Sequence, residues 1–175
     1  MRQSNDFLKE CLGDALLILM KKKAFSAITV SEVAEAAHVS RSTYYRNFNS
    51  LEEVLLYKLD LLLDAWVTAK SAEEYQNEMD IFISLFTYLK TIREPLRLIL
   101  KANLELLILT SAYRIFETDT LLRAEQYQQA YHSFGLSGII LSWVKQGMKE
   151  SPEQMAEFLV QILEPFMHRG HKEIG

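Results

Sequence analysis

An all-α fold is what this sequence predicts, and three observations predict it. Glycine and proline are too sparse for a β protein: the prolines are Pro95, Pro152 and Pro165, and no glycine lies between Gly13 and Gly135. Apolar residues recur at helical spacing along most of the chain. Capping pairs with the spacing of a capping box, Thr29 with Glu32 and Ser50 with Glu53, open two of the apolar runs.

The elements follow in order. A first helix is expected from about Asp6 to Lys23, with Phe7, Cys11, Leu16, Leu19 and Met20 near one face and three lysines at its C-terminus, where cations suit the helix dipole. The Thr29–Glu32 cap opens a short helix from Val30 to about Ala37, and Ser40 caps a third from Arg41 to about Phe48. Ser50 opens a long helix through Leu55, Leu59, Leu62 and Trp66. Beyond Lys70, helices are expected at about Glu73–Thr91, Pro95–Phe116 with a break near Asn103, Thr120–Met148 with a break near Arg123, and Pro152–Arg169. Pro95 and Pro152 suit a first helical turn, and the Glu73-Glu74 pair reads as a solvated helix start. Gly147 with Glu150-Ser151 marks the last sharp turn.

Composition narrows the function. The 175 residues are 49% hydrophobic and 24% charged, which suits a folded chain with room for one generous domain or two small ones. The net charge of −4 excludes a uniformly basic coat, yet residues 1–50 carry +2 while the rest carries −6. An anionic polymer is therefore tolerated only at the front third. A single cysteine, Cys11, excludes an internal disulfide framework and is expected to act as a small buried hydrophobe. No apolar run reaches the roughly 18 residues of a spanning helix, and no export signal opens the chain, so a cytoplasmic location without membrane contact is expected. His168 and His171 lack a clustered carboxylate or thiol, so neither a metal nor a cofactor is expected. With no phosphate-cradling loop, HExxH or nucleophile elbow, an enzyme is not expected.

The informative stretch is Ile28 to Phe48. Val30, Val33, Ala34 and Ala37 share one helical face, and Val39, Tyr44 and Phe48 supply an apolar side for the next helix. What that third helix has left to display is Arg41, Ser42, Thr43, Tyr45, Arg46 and Asn47. A helix entering the major groove needs such groups: Arg can bond guanine bidentately, Ser and Thr can reach bases or phosphates, and Tyr and Asn can fix position on the backbone. The Thr29 hydroxyl and the amides beside it are candidates for a further phosphate.

Over about Asp6 to Leu59 this pattern resembles the TetR/AcrR family of bacterial transcriptional regulators. The residues that carry it are Thr29, Val33-Ala34-Glu35-Ala36-Ala37, Val39-Ser40-Arg41-Ser42-Thr43-Tyr44-Tyr45-Arg46-Asn47-Phe48 and Ser50-Leu51-Glu52-Glu53. The resemblance implies a three-helix DNA-binding head with a helix-turn-helix over about 1–50 and a helical regulatory and dimerisation body over 51–175. It implies that Arg41, Ser42, Thr43, Tyr45 and Asn47 face DNA, that Arg46 meets a phosphate and that Tyr44 is core. Three positions depart from the pattern. His38 stands where the turn usually has Gly and is expected in a left-handed conformation. Asn47 replaces a frequent His, and Leu51 replaces a frequent Lys.

The later helices resemble the family's variable domain less specifically. Tyr127 to Trp143, with Lys145-Gln-Gly-Met148 and Ser151-Pro-Glu-Gln-Met155, looks like a closing helix pair that meets its copy in a four-helix interface, and Glu153 to Phe166 adds a second apolar face. Tyr131, Phe134, Gly135, Gly138, Trp143, Phe158 and Ile162 are the expected contact residues, although the two glycines equally suit packing within the chain. Trp66, Met79, Phe82, Phe86, Tyr88, Tyr113 and Phe116 are candidates either for plain core or for the lining of a small-molecule pocket, with Asn103, Glu105, Thr110 and Ser111 as orienting groups or solvent-facing ones. The expected function is sequence-specific regulation of transcription by a homodimer on a palindromic operator, with effector-relieved repression as the default. The alternative is a scaffold of this type that acts mainly through a protein partner.

Overall fold

The computed structural model describes residues 2–72, 75–115 and 123–167, and these form helices with no strand among them. The helices are α1 (Arg2–Lys22), α2 (Val30–Ala36), α3 (Arg41–Asn47), α4 (Leu51–Ala72), α5 (Glu78–Thr91), α6 (Arg93–Lys101), α7 (Glu105–Ile115), α8 (Arg123–Lys145) and α9 (Pro152–Met167), with a single 3-10 turn at Phe25–Ala27. In the head, α1 packs on both α2 and α3 and crosses α4. In the body, α4 packs on α5 and α7, α5 packs on α9, and α7 packs on α8. One continuous apolar core runs from Leu12, Leu16, Val33 and Tyr44 through Leu55 and Leu59 to Phe86, Leu96, Ile99, Trp143 and Leu159. Each large apolar side chain fully buried there contributes about 1.5–3 kcal/mol.

Three turns are closed the same way. After α2, the Val39 amide donates to the Ala34 carbonyl and the His38 amide to the Glu35 carbonyl, with His38 at φ 56°. After α6, Leu104 donates to Ile99 and Asn103 to Leu100, with Asn103 at φ 58°. After α8, Met148 donates to Trp143 and Gly147 to Val144, with Gly147 at φ 85°. Each pair satisfies carbonyls that a helix end leaves open. The left-handed His38 and the break at Asn103 are as expected from sequence.

Other expectations need correction. The inner face of α1 is Leu12, Ala15, Leu16 and Met20, while Phe7 is 64% exposed and Cys11 only half-buried. Phe7 precedes Leu16 by about two and a half turns, which puts the two on opposite sides. Helix α5 starts at Glu78 rather than near Glu73, because the Asn77 side chain accepts the Asp80 amide at 3.0 Å and caps it there. The readings at Glu73, Glu74, Phe116, Thr120, His168 and His171 lie outside the described residues.

Most of the aromatic middle of the body is core, while Tyr113 stacks on the exposed Phe134 at 4.6 Å and Met79 is only half-buried. Trp66 and Phe86 are buried, and Phe82 and Tyr88 are partly buried and pack against the core. The space enclosed by Leu59, Leu63, Leu85, Leu89, Leu96, Ile108, Ala112 and Ile140 is about 10 Å³, at most one water. Glu105 pairs with Lys145 at 3.1 Å, and the Thr110 hydroxyl donates to the Leu106 carbonyl at 2.8 Å. Neither orients anything toward that space, while the buried Ser111 hydroxyl has no partner among the described residues.

Candidate nucleic-acid interface

Helix α3 has seven residues, too few to persist alone, so its form depends on its ends and its inner side. Ser40 sets the start: its Oγ accepts the Thr43 amide at 3.1 Å and lies 2.8 Å from Ser42 Oγ and 2.9 Å from Thr43 Oγ1. Asn47 sets the end, where its side-chain amide donates to the Thr43 carbonyl at 2.8 Å. Tyr44 and Phe48 hold the inner side; Tyr44 is wholly buried, edge to face on Tyr45 at 5.2 Å. Burial, reinforced by Tyr45, Glu52 and Glu53, pushes the Tyr44 phenol above its ordinary pKa.

With those side chains committed, Arg41, Ser42, Tyr45 and Arg46 project outward together. Tyr45 is 57% exposed, and neither arginine makes an ion pair among the described residues. Two free guanidiniums, a hydroxyl and an aromatic ring on one face can meet phosphates and base edges. Thr43 and Asn47 are half-buried, and each is partly occupied by the helix's own ends.

Thr29 is exposed at the start of α2, but an anion already sits there. The Glu32 carboxylate accepts the Thr29 amide and hydroxyl, each at 2.9 Å, and Lys23 Nζ lies 2.6 Å from its other oxygen. Lys23, followed by Thr29, lowers the Glu32 pKa to about 2. A phosphate at this point meets a carboxylate in the place the sequence left open.

At the far end of the molecule, α8 and α9 border a groove of about 600 Å³ lined in part by Gly135, Gly138, Ser142, Gln154, Met155 and Phe158. Tyr131 is 64%, Phe134 59%, Phe158 49% and Ile162 38% exposed along this face. A Cβ at Gly135 or Gly138 would meet nothing within 4 Å, so packing within the chain does not require either glycine. Trp143 is different: it is 2% exposed, edge to face on Phe86 at 5.1 Å, and forms part of the groove floor. It is a core residue, because it shares a helical row with buried Leu136 and Ile140.

Residues 13–57 match the family model described as bacterial regulatory proteins, tetR family, and residues 76–165 match that of a transcriptional regulator C-terminal region of the TetR type. The chain belongs to the TetR family. Among solved structures, the TetR family repressor AlkX from Dietzia sp. strain DQ12-45-1b is similar at 19% identity, with 91% of this chain and 94% of that chain covered and a TM-score of 0.62. The dihydroxyacetone kinase operon activator DhaS is similar at 18% identity, covering 92% of this chain and 96% of its own, with a TM-score of 0.58. At these identities the likeness is one of fold. A comparison with curated protein sequences finds no match.

As a TetR family member the protein is a transcriptional regulator with a helix-turn-helix, here α2 and α3, on an all-helical frame. No described helix is long and apolar enough to cross a membrane, and no described group of His, Cys, Asp or Glu could hold a metal ion. Sequence reasoning missed Gly13 and Lys58, where α1 crosses α4. A Cβ on Gly13 would lie 2.8 Å from Lys58 Cβ. The available signals were a glycine inside an otherwise regular helical pattern and a lysine between Leu55 and Leu59 in an apolar row.

Proposed function

We propose that this regulator is a homodimer that reads a palindromic operator with one α3 in each of two successive major grooves. The observation that carries the reading is the outward group of Arg41, Ser42, Tyr45 and Arg46 on a helix whose other side chains are committed to caps and core. Arg41 and Ser42, at the N-terminal end of α3, meet base edges, with Thr43 alongside them. Tyr45, Arg46 and Asn47 hold the backbone, and Thr29 donates only where a phosphate displaces Glu32. The head comprises residues 1–50 and the body 51–175. The α8–α9 face joins two copies: Tyr131, Phe134, Phe158 and Ile162 supply apolar area, and Gly135 and Gly138 admit a neighbouring backbone. Two heads about 34–36 Å apart then match one turn of duplex. Effector control acts by changing that separation, with repression as the default sense.

The test is selection of bound fragments from genomic DNA, followed by titration of a selected duplex over a range of salt. Enrichment of an inverted repeat and steep salt dependence support the reading. Absence of binding to any duplex at low salt overturns it. A second reading has two observations behind it: Leu51 packs against the core instead of offering a cation, and the Thr29 hydroxyl is held by Glu32. In that reading the scaffold works through a protein partner, and low-salt DNA binding is what separates the two.

A further inference from the structure

We propose that Lys58 is a positioning residue for DNA recognition: its buried ammonium fixes how the head sits on α4, and thereby where α3 is presented. Lys58 is the one charged side chain that is buried among the described residues. Its Nζ lies 2.8 Å from Asp14 Oδ1 and 3.4 Å from Glu10 Oε1, carboxylates one turn apart on α1. Gly13 lies between them in sequence, at the point where the two helices approach so closely that a Cβ would strike Lys58 Cβ. Here the head therefore meets α4 through a cation and two anions placed at a contact only glycine allows.

On its other side α4 is held by the body. Arg114 of α7 reaches Asp60 Oδ1 at 3.2 Å from Nε and Asp64 Oδ1 at 2.9 Å from Nη2. The Tyr88 hydroxyl donates to the Leu62 carbonyl, and Trp66 Nε1 donates to Ser84 at 3.1 Å. Lys58 lies about 160° from Asp60 and about 120° from Asp64 around the helix. Thus α4 has ionic contacts to the body on one side and to the head on the other.

Only the ammonium of this cluster is buried, the Glu10 and Asp14 side chains being 46% and 54% exposed. Such a cation is a poor means of gaining stability, since an apolar side chain of the same length often does as well or better. Its distinctive effect is direction. Apolar ridges permit several closely spaced crossing geometries, and an ammonium shared by two carboxylates favours the one that brings all three together. Because α3 rides on α1, a loosened crossing changes where the recognition surface lies relative to the body.

The consequence for DNA rests on the dimeric, duplex-binding reading above, but the positioning itself is measurable without DNA. Spin labels on cysteines replacing the exposed Glu35 and Glu157, in a Cys11→Ser background diluted with unlabelled chain, report the head-to-body distance within one subunit. Lys58→Met is expected to keep the thermal midpoint close to wild type while broadening that distance distribution, and Lys58→Arg to restore it. On DNA, discrimination between the preferred half-site spacing and one altered by a base pair is expected to fall about fivefold, the lower end of ordinary coupling between sites. If Lys58→Met does not fold, the Glu10→Gln, Asp14→Asn pair keeps the α4 side chain and carries the same expectations. An unchanged distribution in a folded variant overturns the proposal, as does a broadened one with unchanged spacing discrimination. A wild-type chain that binds no duplex sinks the DNA reading instead, and the distance measurement then judges the positioning of the head alone.

Discussion

The two short helices of the head and the two longest helices of the body are kept in opposite ways. In the head, α2 and α3 have seven residues each and depend on side-chain caps: Thr29 with Glu32, Ser40 with Thr43, and Asn47 back to Thr43. In the body, α4 and α8 exceed twenty residues and depend on apolar burial. The contrast teaches where to look for function. On a short capped helix almost every side chain has a structural duty, so the groups left exposed together, Arg41, Ser42, Tyr45 and Arg46, form the surface proposed to work on DNA. In the body the surface proposed to work is the apolar strip the core leaves exposed, Phe134 of α8 with Phe158 and Ile162 of α9, beside two open glycines.

The largest expected effect breaks the body side of that contrast. Replacing Phe134 and Phe158 together by Glu puts like charges across a two-fold face and removes two apolar anchors. Association is expected to weaken by at least about 4 kcal/mol; sedimentation equilibrium should find monomers, and intact dimers would remove this face from the account. On the head side, Arg41→Ala is expected to cost about 1–3 kcal/mol of discrimination between a selected site and a scrambled one. Equal loss on both duplexes would make Arg41 a phosphate contact instead.

Between the two regions stands the α1–α4 crossing. Gly13→Ala forces a Cβ against Lys58 Cβ, an atom close to the backbone that cannot swing aside. A loss of about 1–3 kcal/mol is expected from such overpacking, read as a lower thermal midpoint. A midpoint at the wild-type value would mean the crossing is looser than it stands here.

The smallest effect concerns the cap of α2. Glu32 has its pKa lowered to about 2 from an ordinary 4.5 by Lys23 and Thr29. Its folded pKa is depressed, so the stabilisation is full above about 4.5 and fades as pH falls toward about 2. Acid titration of Glu32→Gln should lack that component of the wild-type pH dependence. Parallel titration curves would assign the acid sensitivity elsewhere.

How much was legible follows the same division. Caps and left-handed turns are local, so Thr29–Glu32, Ser40, His38 and Asn103 could be read from spacing alone. Tyr44 was legible too, since it stands one turn before Phe48 on the same side of a short helix. Trp143 was assigned to the outer face although it follows Leu136 by seven residues and Ile140 by three, the spacing of one buried row. Composition alone does not separate a core aromatic from an interface aromatic; rotational position does. Asn77 was passed over as the cap of α5 because an acidic pair upstream offered a competing start. The Gly13–Lys58 contact joins residues far apart in sequence, and no local pattern fixes which helices cross or where.

The measurement closest to the central claim is binding of a selected duplex across a range of salt, for wild type and for the Arg41→Ala, Arg46→Ala double variant. If α3 lies in the major groove, wild type should lose affinity steeply with salt. The double variant should bind more weakly, with a slope shallower by up to about two phosphate contacts, Arg46 supplying one and Arg41 the other only where it leaves its base for the backbone. Identical affinities and slopes for the two proteins would contradict the account, because the two free cations of α3 would then play no part in holding DNA.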